Sequence, residues 1–149
     1  MIEEFFHIAL TCRDLERSIR FYESLGLVVT KRYGELQVES IARMFNMPSC
    51  RMKVVHLAPV AATGGMFIDL VEWLDPLPAG GPYPTVTHVG INRVAFRVPD
   101  IDATTASLRE KGVTFLSEEP QSLGPGVRGI VTTDPDGVYV QFVEGRIAP

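Results

Sequence analysis

Apolar and polar residues alternate over positions 5–11, the period of a half-buried strand. The period then lengthens to that of a helix across 15–25, where Leu15, Ile19 and Tyr22 fall on one stripe. Asp14 is placed to cap this helix and Gly26 to stop it. Strand patterns follow at 27–33, 51–57 and 66–72, the last two separated by a loop containing Gly64 and Gly65. Between the first two of these, ELQVESIARMFNMP predicts a short helix with Val38, Ile41 and Phe45 on one side, ended by Pro48. Residues 73–90 hold Pro76, Pro78, Pro82, Pro84 and three glycines, which marks a linker. Beyond it the order recurs, with a strand at 92–98, a helix at 101–111, strands at 113–116, 128–133 and 138–144, and a turn at 134–137.

The recurrence extends to the residues themselves. Positions 5–30 align with 91–116 without a gap at an offset of 86, which sets His7 on Arg93, Ala9 on Ala95, Asp14 on Asp100 and Gly26 on Gly112. FIDLVE at 67–72 aligns with YVQFVE at 139–144 at an offset of 72, which sets Asp69 on Gln141. The offsets differ by 14, so the first copy carries about that many extra residues in its middle. Two like modules, about 1–73 and 91–149, are therefore predicted on either side of a linker at about 74–90. A site built at their junction would draw on the equivalent positions His7, Asp69, Arg93 and Gln141. Alternation puts His7 on one face with Ala9 and Thr11, and Asp69 with Phe67 and Val71.

Composition narrows the function classes. A chain of 149 residues makes one ordinary domain, and 46% hydrophobic with 21% charged residues reads as globular. The net charge of −4, without a basic run, argues against nucleic acid and anionic membrane as partners. MIEE leads straight into a strand pattern, with neither a secretory leader nor a spanning segment, so a cytoplasmic location is expected. Cys12 and Cys50 lack metal-finger spacing, and Cys12 shares a face with Ile8 and Leu10, as a buried reduced thiol does.

Two βαβββ modules, with HIAL opening one, RVAFRVPDID opening the other and DPDGVYVQFVE closing it, resemble the vicinal oxygen chelate superfamily. That group includes glyoxalase I, methylmalonyl-CoA epimerase, extradiol dioxygenases, fosfomycin-resistance enzymes and bleomycin-resistance proteins. The resemblance spans nearly the whole chain. It implies an α+β fold in which the tandem modules form a curved, incomplete barrel around one cavity. It also implies a homodimer, from the family's habit of pairing modules across subunits. The scaffold hosts several chemistries, so the reaction must be argued from the site.

In metal-dependent members the ligands occupy the positions of His7, Asp69, Arg93 and Gln141. Only His7 keeps the usual residue type. Asp69 is a shorter carboxylate, Gln141 offers a neutral carbonyl oxygen, and Arg93 has no lone pair to give. No cofactor is therefore expected, and Arg93 disfavours a divalent metal; one bound nonetheless would take His7, Asp69 and Gln141. Arg93 is open to two readings. It forms a structural ion pair with Asp69, or it replaces the metal as a fixed cation holding a carbonyl, carboxylate or enolate oxygen while His7 or Asp69 moves a proton. His7 itself has a plain alternative as a satisfied core histidine.

Other residues take smaller parts. His56 shares a face with Val54 and Met52, as a packed or rim histidine would, and is placed among the substrate-binding residues with Phe67, Tyr139 and Phe45. Phe67 and Tyr139, in phase with Asp69 and Gln141, line the cavity or simply fill the core. Met44, Phe45 and Met47 cap an apolar ligand or pack. His88 is expected to be exposed in the linker. Residues 124–129 read GPGVRG and imitate a dinucleotide fingerprint, but no helix pattern follows and Pro125 removes an amide donor, so a flexible loop at the pocket mouth is expected.

Two functions fit. One is an enzyme acting on a small enolisable carbonyl compound, by isomerase, lyase or oxidoreductase chemistry through an enolate. The other is a metal-free protein that sequesters a drug or metabolite. The converging polar residues favour the enzyme; the missing metal ligands favour the binder.

Overall fold

Strand β1 (His7–Cys12) buries Leu10 and Cys12 and leaves His7, Ala9 and Thr11 on its other side. This alternation runs through a computed structural model that describes residues 1–60 and 65–146; Gly64, expected in a loop, lies outside them. Helix α1 (Leu15–Ser24) follows at once, and Asp14 caps it by accepting the Arg17 amide at 2.9 Å. Leu15, Ile19 and Tyr22 are all buried, as their stripe predicts, and Ser18 joins them. The helix stops at Gly26, whose φ of +99° suits a residue without Cβ. Strand β2 (Leu27–Leu36), helix α2 (Glu39–Met44), β3 (Arg51–Pro59) and β4 (Phe67–Asp75) complete the first module. Its sheet has the order β1-β4-β3-β2, with β1 parallel to β4 and the other pairs antiparallel.

The second module repeats the plan with β5 (Val94–Arg97), α3 (Ile101–Glu110), β6 (Gln121–Gly124), β7 (Val127–Thr133) and β8 (Tyr139–Glu144), ordered β5-β8-β7-β6. Asp100 caps α3 by accepting the Ala103 amide, and Gly112, with φ +83°, ends the turn as Gly26 does. The two compact units are Met1–Gly80 and Gly81–Pro149. Each unit presents a mixed four-stranded sheet, an α+β arrangement of tandem modules.

In both modules one sheet face is apolar and covered by the long helix. In the first, Leu10, Cys12, Leu27, Val55, Leu57, Ile68 and Leu70 are buried along with the α1 stripe. In the second, Val94, Ile130, Val140 and Phe142 are buried with Ile101, Thr105 and Leu108 of α3. Cys12 and Cys50 are both buried and form no disulfide. The candidate residues sit on the opposite faces. Among the described residues, no helix is long and apolar enough to cross a membrane.

Several expectations need correction. Residues 113–116 form no strand; Phe115 makes one isolated bridge to Thr132, and the Leu116 amide donates to the Val131 carbonyl. The strand at that side of the sheet is β6, formed from a polar segment with no alternation to announce it. Residues 124–129 are therefore the turn and first residues of the β6–β7 hairpin, not a flexible loop. The linker begins later than expected, because β4 runs through Trp73 to Asp75. Finally, α2 ends at Met44, Phe45 is its C-cap and 56% exposed, and the residue it buries is Ala42.

Candidate functional site

On the first module's face turned away from α1, the register places Ala9 beside Asp69, Asp69 beside His56, and His56 beside Lys31, one residue from each strand. One end of this face is closed by α2. Ile41 and Leu36 pack with Trp73 on the buried Met52, Val54 and Val71, and the Trp73 indole donates to Thr11 Oγ1 at 3.2 Å. Phe45 belongs to this end, with its ring edge-on to Trp73 at 6.3 Å.

The other end is built of rings. Phe67 lies between His56, at 4.2 Å between centroids, and His7, at 5.3 Å. Tyr33 meets His56 edge-on at 5.0 Å, Phe6 meets both His7 and Phe67, and Lys31 Nζ sits 4.5 Å over the Tyr33 ring. Among the described residues, Asp69 is the acid that faces His56. Its Oδ1 is buried without a hydrogen-bond partner, 3.5 Å from His56 Nε2, and the two side chains are 21% and 20% exposed.

The state of His56 follows from competing effects. Burial lowers its pKa below the ordinary histidine value and is the largest influence; the Asp69 carboxylate raises it, while Lys31 and His7 lower it. The net lowering leaves a neutral imidazole at neutral pH, so the short approach to Asp69 is not a charged pair there. A neutral imidazole beside a carboxylate can take up a proton and have the resulting charge stabilised at once. The sequence places His56 on this face with Val54 and Met52 but gives no hint that it would be the partner of Asp69.

In the second module, the face away from α3 carries Arg93, Ala95 and Arg97 from β5 and the residue before it, Tyr139 and Gln141 from β8, and Val131 from β7. Arg93 Nε donates to Gln141 Oε1 at 2.7 Å, and its Nη1 donates to Asn92 Oδ1 at 2.9 Å. Asn92 Nδ2 in turn donates to the Val86 carbonyl at 3.0 Å. Gly129 makes room for this arrangement, since a Cβ there would stand 2.8 Å from Leu123 Cδ1 and 3.2 Å from Gln141 Nε2. Within its own module Arg93 is held by Gln141 and Asn92, and Asp69 approaches His56.

The donor set bears on a metal. Arg93 has no lone pair, and the Gln141 oxygen that would ligate already accepts from Arg93. Among the described residues, no three histidines, cysteines or acids converge as metal ligands do. His88 stays in the linker, stacked on Tyr83 and bonded through Nδ1 to Thr85 Oγ1.

Lys31, Tyr33 and Asn92 were invisible from sequence. The first two reach the face through the irregular register of β2, which shifts between Val29 and Lys31 and between Arg32 and Gly34. Asn92 is legible only once Arg93 is seen to bend back toward its neighbour.

Comparison with known proteins agrees with this architecture. No curated protein matches the sequence. Among solved structures, a glyoxalase family protein from Bacillus cereus superposes with a TM-score of 0.84 at 21% identity, over 97% of this chain and 95% of that one. An antibiotic-binding protein from Streptomyces sp. CB03234 gives 0.68 at 21% identity, over 97% and 98%. A fosfomycin resistance protein from Listeria monocytogenes, crystallised with Mn(II) and sulfate, gives 0.59 at 19% identity, over 99% and 96%. At these identities the likeness is one of fold. The family model for the glyoxalase/bleomycin resistance protein/dioxygenase superfamily matches residues 4–142, nearly the whole chain. The chain belongs to that superfamily.

Proposed function

We propose that this chain is a metal-independent enzyme that moves a proton next to the carbonyl of a small enolisable metabolite. The observation that carries the reading is the pair formed by His56 and Asp69. A neutral imidazole beside a half-buried carboxylate whose Oδ1 lacks a partner is a base with its charge stabiliser in place. This shifts the base from His7 or Asp69 alone to the pair, with His7 beside Phe67 as part of the wall. Arg93 is the fixed cation for the enolate oxygen, and Gln141 holds its guanidinium in place. The donor chemistry of Arg93 and Gln141 supports working without a resident metal.

A second reading has its own support. The ring cluster of Phe6, His7, Phe67, His56 and Tyr33 suits a planar ligand, and one fold relative is an antibiotic-binding protein. A sequestering protein needs no base, and its affinity would rest on Phe67 and Tyr33. We carry the homodimer and the cytoplasmic location as parts of either reading, the first to be checked by sedimentation.

Incubating carbonyl metabolites with the protein in D₂O, with proton exchange followed by NMR, separates the two. Catalysed exchange is expected in the native protein. Arg93→Lys should lower the rate about 10²-fold or more, well beyond any loss of ligand affinity, because lysine keeps the charge but not the planar fork. Ligands that bind without exchange, with rates and affinities indifferent to Arg93, His56 and Asp69, would replace the enzyme by the binder.

A further inference from the structure

The arginine of the second module is held in an unusual electrostatic setting. Both groups that fix it, Gln141 Oε1 and Asn92 Oδ1, are neutral acceptors, and among the described residues of its module no carboxylate pairs with it. A guanidinium has five N–H donors, so three remain, both hydrogens of Nη2 and one of Nη1. The charge is therefore fixed in position and uncompensated by the described residues of its own module. The surrounding face adds to it. Arg97 follows Arg93 on the same side of β5, while Tyr139, Gln141 and Val143 of β8 and Gly129, Val131 and Thr133 of β7 contribute no acid.

We infer that Arg93 is a carboxylate fork, that the ligand is an anionic carbonyl compound rather than a neutral one, and that Asn92 is a positioning residue for the fork. The inference rests on the assignment of Arg93 as the fixed cation and names the class of molecule it takes. Two planar N–H donors matched to two carboxylate oxygens give a charge-assisted bidentate contact that an ester or amide cannot reproduce. Asn92 acts through its two ends. Its Oδ1 accepts from Arg93, and its Nδ2 is tied to the Val86 carbonyl, so the linker segment sets the direction in which the free hydrogens point.

The test uses the full chain with pyruvate and benzoate, each against its neutral methyl ester. Binding is read by titration with the Arg93 Nε–H resonance as reporter. The acids should shift that resonance and bind at least about tenfold more tightly than their esters, the size of one charge-assisted contact. Asn92→Asp puts a competing carboxylate on the guanidinium and should weaken the acids about tenfold while leaving the esters unchanged, with Asn92→Gln restoring part of the loss. A merely structural Asn92 would move acids and esters together.

Equal binding of acid and ester, binding of neither, or acid binding that leaves the Arg93 resonance unmoved overturns the inference. The parent reading fails separately. Acids that bind through Arg93 without any proton exchange would remove the enzyme and keep the fork. Exchange that proceeds equally on pyruvate and methyl pyruvate would keep the enzyme and remove the fork.

Discussion

Replacing Asp69 by leucine should make the protein more stable and less active. Asp69 Oδ1 is buried, meets no hydrogen-bond donor among the described residues and faces a neutral imidazole at 3.5 Å. Leaving a buried acceptor unsatisfied costs about 1–3 kcal/mol. The side chain is 21% exposed, so its other oxygen keeps some hydration and the lower part of that range, about 1–2 kcal/mol, applies. Leucine keeps the branched arrangement of four side-chain heavy atoms, lies beside Ala9 in the register, and would replace the cost with apolar contact to Phe67 and Val71 on its own strand. For a chain of this size each kcal/mol moves Tm by about 2–4 °C, so a rise of about 2–8 °C is expected. Urea unfolding and calorimetry measure it, alongside proton exchange in D₂O, which should fall to background. A structural role for Asp69 predicts the reverse. Loss of more than about 1 kcal/mol in Asp69→Leu would show that the carboxylate is satisfied in a way the geometry does not reveal, and the argument for a site held at the expense of stability would fail.

The other expectations follow from single features. Since His56 must be neutral to accept a proton and its pKa is lowered, the exchange rate should stay level from alkaline to neutral pH and fall only below the ordinary histidine value; His56→Ala should remove that acid limb from the pH–rate profile. The same lowering means that the unfolded chain takes up the proton first as pH drops, so His56 favours folding above its unfolded pKa, and that contribution is lost through the folded one, which urea midpoints in the native protein and His56→Ala would show. Asp14→Ala and Asp100→Ala each remove a helix cap and should cost about 1 kcal/mol in denaturant unfolding, with no effect on ligand binding. Gly129→Val should displace the Gln141 amide and loosen Arg93, read as a shift and broadening of its Nε–H resonance, while the exposed end of Leu123 swings aside at little cost to stability.

The fold was legible because the two copies mark the same joints. Asp14 and Asp100 both cap, Gly26 and Gly112 both stop, and the registers agree to the residue. His7 pairs with Phe67, 60 positions on, and Ala95 with Gln141, 46 positions on; the difference of 14 is the insert read from the offsets. What failed did so for physical reasons. The β-prone residues 113–116 lost their strand because sheet pairing is a tertiary choice and β6 took the place beside β7. Helical periodicity set Phe45 on one side with Val38 and Ile41, but a helix of six residues ends at Met44 and leaves Phe45 as its exposed C-cap. Alternation grouped Asp69 with Phe67 and Val71, and His56 with Val54 and Met52; only the strand order made the two neighbours, since adjacency across a sheet leaves no trace in spacing along the chain.

The parallel pairing of β1 with β4 bears on how the chain assembles. Within its module β1 hydrogen-bonds to β4 alone, and β4 begins 60 residues after β1 does. The strand made first is thus the last to find its place. During synthesis α1 and the β2–β3 hairpin can form from local contacts, while His7–Cys12 waits for Phe67–Asp75 to leave the ribosome. The second module imposes the same delay on Val94–Arg97, which waits for Tyr139–Glu144. Loop closure of this length sets the pace of each module, and a nascent chain stopped short of residue 67 carries an apolar strand with no sheet to join.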